Sequence, residues 1–172
     1  MVNARQQYEK SIQQLGAGTS ASPAKAKYLV ALGKLENKSP VVSPALVSTL
    51  KDATRLRMSQ VPGVDVVAEG TDIAAMAKSR GLLAFQIDGR LTELVRTQDG
   101  SDVGFAARVE YTIRRMPDQA LKGTVAGSAL ASARAGDLKG PREVTQLQID
   151  STSAAIDAAL KAISRALDAA GR

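Results

Sequence analysis

Between Gly81 and Ala133, apolar and polar side chains alternate in three successive stretches. Leu83, Phe85, Ile87, Leu91 and Val95 share one parity of the first; Val103, Phe105, Ala107, Val109, Tyr111 and Ile113 share one parity of the second. Leu121, Val125, Ala129 and Ala131 form a weaker apolar set on the third. A period of two buries one side of a strand and wets the other, so the stretch predicts a three-strand meander. Gln98-Asp99-Gly100-Ser101 supplies a hairpin turn and Met116-Pro117-Asp118-Gln119 a second turn. Folding the first hairpin about Gly100 sets Val95 opposite Phe105, Leu91 opposite Val109, Ile87 opposite Ile113 and Gly89 opposite Tyr111. On the other face it pairs Arg90 with Glu110. Glu93 breaks the pattern. Its parity places it among apolar neighbours, which calls for a place at the sheet margin or a cation such as Arg115 or Arg80.

The remaining patterns frame this meander. Residues 3–15 carry Tyr8, Ile12 and Leu15 at helical spacing, and Gly16, Gly18 and the small-residue stretch to Ala26 end that helix. Residues 1–26 are therefore read as a helix and linker, with the tail of a preceding module as one reading, and residues 27–172 as one domain. Tyr28–Leu35 reads as a buried strand. Ser43-Pro44 then opens a helix whose inner side holds Leu46, Val47, Leu50, Thr54 and Met58. Val64–Ala68 gives a second short strand, and Thr71 is expected to cap a short helix that buries Ile73, Met76 and Ala77 and ends at Gly81. Pro141–Ala170 predicts one long amphipathic helix, with Ile149, Ile156, Leu160, Ile163 and Leu167 as its stripe. The fold class is α/β (α+β): one mixed sheet of about five strands, helices packed on one face of it, and a long C-terminal helix.

Composition narrows the chemistry. The 172 residues contain no cysteine and no histidine, which removes thiolates, disulfides, histidine bases and conventional zinc sites. With two Phe, three Tyr and no Trp, the core must be aliphatic and alanine-rich. The net charge of +6 comes from 23 basic residues interleaved with 17 acidic ones, which suits either a soluble basic surface or an anionic partner. No apolar run approaches the ~18 residues of a membrane span. Met1–Gln6 does not read as a signal peptide and is compatible with an initiator methionine on a fragment of a longer protein.

Four stretches are candidates for function. The outward parity of the meander carries Arg90, Arg96, Arg108, Arg114 and Lys122, a face for nucleic acid, lipid headgroups or cell-wall polymer. Both phenylalanines and Tyr111 point the other way, so no base-stacking platform accompanies it. Gly123–Ser128 has closely spaced glycines but lacks a phosphate-loop lysine and lies inside a strand; close helix approach explains it better. Asp65, Glu69, Asp72, Asp88 and Glu93 show no paired spacing of a known metal loop or acid–base couple. Asn37–Ser43 follows the first strand, where α/β proteins often bind ligands, yet it has no glycine pattern. No catalytic, cofactor or metal residues are assigned.

YLVALGKLENKS, the helix SPALVSTLKDATRLRMSQ and the strand VDVVAEG together resemble an envelope group of α/β domains. That group comprises the curli secretion lipoprotein family, the TolB amino-terminal domain and the lipoprotein activators of penicillin-binding proteins. Val64, Val66, Val67 and Glu69 fill its short-strand position. The stretch from Gly81 to Ala133, with Asp88-Gly89 and the alanine-rich third strand, is also similar to the domain that follows HEAT repeats in some large bacterial proteins. The resemblance spans residues 27–170 and implies a non-enzymatic domain that binds another protein, often at the bacterial envelope. The expectation is thus a protein–protein interaction or scaffolding module, periplasmic or envelope-associated, with the cytoplasm as the other compartment open to it. The alternative is a binder of anionic polymer through the arginine-bearing face. Neither reading needs a cofactor or a small-molecule substrate.

Overall fold

The computed structural model describes residues 25–172; the expected helix over residues 3–15 and most of the linker lie outside them. Five strands form one mixed sheet in the order β2-β1-β3-β4-β5. β1 (Tyr28–Asn37) runs parallel to both β2 (Val64–Val67) and β3 (Leu83–Asp99), while β4 (Asp102–Arg115) and β5 (Ala120–Arg134) continue the sheet antiparallel. The expected α+β class and five-strand mixed sheet are both present. The two parallel neighbours of β1 require crossovers, and the helices α1 (Pro44–Ser59) and α2 (Ile73–Arg80) supply them.

Alternate residues of the strands face a continuous core against α1 and the two C-terminal helices. Leu46, Leu50, Thr54 and Met58, four apart on α1, are its buried stripe, while Val47 is only half-buried. The C-terminal helical stretch is two helices, α3 (Pro141–Leu160) and α4 (Ile163–Ala170), not the expected single one. Ala162 N–H bonds back to Ala159 O, three residues away, and this tighter turn ends α3. The stripe Ile156, Leu160, Ile163, Leu167 keeps helical spacing across the break, so the pattern carries no sign of it. Gly127 lies directly beneath Ala155, Ala158 and Ala159 of α3, where a Cβ would collide with helix backbone. That contact explains Gly127 as a seat for a helix, while a Cβ at Gly123 would meet nothing within 4 Å.

The helices do not all pack on one side. α2 covers the opposite face at one end, where Ile73 and Ala77 bury Leu29 and Ala84. Its cap is Asp72 and not Thr71: Asp72 Oδ1 accepts from Ala75 N at 3.0 Å, while Thr71 Oγ1 donates to Ala68 O. A carboxylate is the stronger acceptor at a helix N-terminus, where the dipole favours negative charge. Gly81, at φ +65°, ends α2 in the left-handed conformation as expected.

The first hairpin turns through Gly100-Ser101, and the register Ile87–Ile113, Gly89–Tyr111, Arg90–Glu110 and Leu91–Val109 is the expected one. Beyond Leu91 it changes. A bulge at Thr92 inserts one residue, so Glu93 faces Arg108, Leu94 faces Ala107 and Val95 faces Ala106 instead of Phe105. The bulge also moves Glu93 to the exposed side and puts Leu94 in the core. A second bulge at Lys122 turns Leu121 outward, 64 % exposed, against the expectation that it joins the apolar set.

Candidate functional site

α2 covers only one end of its face, so among the described residues most of the β3–β4–β5 surface opposite α1 and α3 is open. The cross-strand rows of this face follow from the register. Arg90, Glu110 and Ala126 form one row, Glu93, Arg108 and Ser128 the next, and Val95, Ala106 and Leu130 a third. Val95 and Leu130 are 52 % and 62 % exposed, and Gly104 gives Leu130 room to lean across β4. An apolar row thus borders a charged field on one flat surface.

The charged field is built on two carboxylates. Asp88 Oδ1 accepts from Lys34 N at 2.9 Å and Gln86 Nε2 at 3.0 Å, and Asp88 Oδ2 lies 3.2 Å from Arg114 Nε. The first of these bonds exists because β1 has its own register shift between Leu32 and Leu35, where the Asp88 carboxylate satisfies the Lys34 amide. Gly33 has no side chain to obstruct it; a Cβ there would meet Asp88 and Gln86. Glu110 takes Arg108 Nε at 3.3 Å and Arg90 Nε at 3.6 Å. At the border Glu36 sits between Lys34 Nζ (2.8 Å) and Lys38 Nζ (3.2 Å). Hydrogen bonds from Lys34 and then Lys38 hold its carboxyl below the usual range, and the bond to Glu36 raises Lys34. Around Asp88 the surface dips into an open depression of about 490 Å³ bordered by Lys34, Glu36, Gln86, Arg90 and Arg114.

The five cations expected to form a basic face are placed unequally. Arg90, Arg108 and Arg114 share the open surface, each within 4 Å of a carboxylate oxygen. Arg96 lies past the bulge, opposite Phe105, which puts it on the helix-bearing side. Lys122 stands in the β5 bulge without a partner residue in the ladder. The exposed apolar row was hidden from sequence parity because the bulge is invisible to it; Glu93 among apolar neighbours was the signal that could have revealed it.

The other candidates resolve into local structure. Asp65 takes Arg80 Nη1 at 2.6 Å, Asp72 caps α2, and Glu69 and Glu93 are exposed. Among the described residues no three of His, Cys, Asp and Glu group as a metal site would require. In Asn37–Ser43, the Asn37 side chain donates to Val41 O and accepts from both the amide and hydroxyl of Ser39, closing the turn on itself. No helix among the described residues is long and apolar enough to cross a membrane.

No protein-family model and no curated protein matches the chain. Solved structures do share its fold. A Helicobacter pylori homolog of a neuraminyllactose-binding hemagglutinin matches with a TM-score of 0.54 at 11% identity, over 88% of this chain and 94% of that one. The hypothetical protein CT253 from Chlamydia trachomatis matches with a TM-score of 0.53 at 12% identity, over 83% and 96%. Protein XCC0632 from Xanthomonas campestris matches with a TM-score of 0.53 at 10% identity, over 89% and 90%. Bacterial lipoproteins are among the chains of lower TM-score. At these identities the likeness is one of fold.

Proposed function

We propose that this protein is a non-enzymatic protein-binding or scaffolding module of a bacterial cell-envelope assembly, and that it docks its partner on the open β3–β4–β5 face. The observation that carries this reading is the composition of that face. The row Val95–Ala106–Leu130, exposed at its two ends, adjoins arginines already matched by Glu110 and Asp88. A flat surface with an apolar strip and internally balanced charges suits another protein, whose interface core is apolar and whose rim is polar. A polyanion would instead meet arginines whose charge Glu110 and Asp88 already offset. The envelope setting follows the sequence resemblance to the curli secretion, TolB and penicillin-binding-protein-activator domains. The sequence similarity of Gly81–Ala133 to the domain that follows HEAT repeats belongs to the same reading.

The test is crosslinked capture from native cells with the full chain, comparing wild type with Leu130→Asp and with Arg90→Glu/Arg108→Glu/Arg114→Glu. Leu130→Asp should lose the partner, and wild type should keep it from low to high salt. If capture instead collapses with salt and only the triple charge reversal abolishes it, the ligand is an anionic polymer and this reading fails.

A further inference from the structure

Unmatched positive charge gathers at one end of the sheet. Tyr28, Val64 and Leu83 align where β1, β2 and β3 begin, and Arg115 pairs with Ala120 where β4 ends and β5 begins. α1 and α2 finish at this end, each leading into the start of a strand, and Gly171 after α4 lies against Tyr28 and Leu83. Lys27, Arg55, Lys78 and Lys122 are exposed there and Arg115 is half-buried; none of them has an ion-pair partner among the described residues. Asp157 and Asp65 are taken by Arg57 and Arg80, which leaves Asp118 and Asp168 to offset these cations. The far end, around the first hairpin, is balanced: Asp99, Asp102 and Asp137 lie among Arg134, Lys139 and Arg142. Helix dipoles account for part of the asymmetry. Lys78 stands in the last turn of α2 and Arg55 one turn from the end of α1, where positive charge is favoured. Lys27 precedes β1, and Arg115 and Lys122 are strand residues, so helix ends do not explain them.

We infer that this end of the molecule docks on an anionic phospholipid surface, its unmatched cations meeting the headgroup phosphates. Lysines and arginines close to a negatively charged bilayer add their attractions. Two exposed apolar side chains stand beside these cations in the chain: Leu56 next to Arg55, 55 % exposed, and Leu121 next to Lys122, 64 % exposed. Apolar groups among cations suit the boundary between headgroups and acyl chains. The cations also ring the end of a sheet that carries helices on both faces, a blunt surface and not a groove. Nucleic acid fits this end less well, because no aromatic side chain among the described residues is exposed to stack on bases. In the docked orientation the strands run away from the bilayer, and the open β3–β4–β5 face stays clear for a protein partner. The inference thus concerns a second surface and stands whichever partner the open face takes.

Co-sedimentation of the full chain with lipid vesicles tests this in about 0.1 M salt, where charges more than about 10 Å from the surface are screened. Wild type should pellet with phosphatidylcholine vesicles that contain phosphatidylglycerol, stay in solution with pure phosphatidylcholine, and be released by high salt. Lys27→Glu/Lys78→Glu/Lys122→Glu should weaken binding at least about tenfold. Arg134→Glu/Lys139→Glu/Arg142→Glu lowers the net charge equally but at the far end, and should keep most of the binding. All six positions are exposed, and circular dichroism should report the same fold in the three proteins. Three results overturn the inference: a wild type with no preference for phosphatidylglycerol, equal losses in the two variants, which would make net charge the cause, or tighter binding to a DNA duplex than to the vesicles at the same salt, which would make nucleic acid the ligand.

Discussion

Tyr111 shows how one side chain joins three elements. Its ring lies against Gly89 of β3, where any Cβ would intrude on the ring and on Leu35 of β1. Its hydroxyl shares a buried hydrogen bond with Thr54 of α1. Tyr111→Phe keeps the ring and strands the Thr54 hydroxyl, which should cost about 1–2 kcal/mol in denaturant unfolding. The loss has a pH signature. Burial pushes the Tyr111 phenol above its ordinary value, so the folded chain keeps its proton where the unfolded chain releases it. This contribution is complete below about pH 10, the exposed-tyrosine value, and is lost as pH rises above it. The stability gap between wild type and Tyr111→Phe should therefore hold constant through neutral pH and narrow on the alkaline side. Tyr28, raised by its 2.6 Å hydrogen bond to Asp168 of α4, adds a slope of the same sign in both proteins. A gap that widens above pH 10 would contradict the assignment.

At the scale of elements, the bulge at Thr92 has the largest consequences. Without it a strict period of two buries Val95 and strands Glu93; with it Leu94 is 2 % exposed and Val95 52 %. The two neighbours should respond oppositely to truncation. Leu94→Ala empties a core site and should cost about 2–4 kcal/mol, while Val95→Ala should cost less than about 0.5 kcal/mol. Paired chemical unfolding curves decide this directly, and a larger loss at Val95 than at Leu94 would mean the strand is regular. The same bulge marks where sequence reasoning stopped. Alternation, turn residues and the Gly89–Tyr111 and Arg90–Glu110 pairs specify the strands, their order through the meander and the register of the first hairpin up to Leu91. All of these are local or one hairpin away. An extra residue in a ladder changes no composition and shows only as a parity conflict, which Glu93 displayed. The break between α3 and α4 leaves even less trace, since neither glycine nor proline stands at Lys161-Ala162 and the apolar spacing runs through it. Of the candidate site, the arginines were legible. Their distribution between two faces was not, because it depends on the bulges.

For the molecule as a whole, the two faces of the sheet differ in how much they hold. One face carries a continuous core that runs from Val30 of β1 to Val125 of β5 and engages α1, α3 and α4. The other holds a small cluster of Leu29, Ile73, Ala77 and Ala84 beneath an eight-residue helix. Local opening free energies follow buried contact, so α2 should be the first element to detach while the remainder stays folded. What holds it to the sheet is the Arg80–Asp65 ion pair and its apolar side. That pair is more than a third exposed at both ends and contributes little. Native-state hydrogen exchange tests this without mutation. Amides in the last turn of α2 should exchange at least about tenfold faster than those of Ile87, Val109 and Ile113 in the central strands. Adding denaturant should collapse the central-strand amides onto one global unfolding line while the α2 amides remain nearly flat. If α2 joins that global line, the second face is locked as firmly as the first, and the open surface beside it is a fixed platform with no movable border.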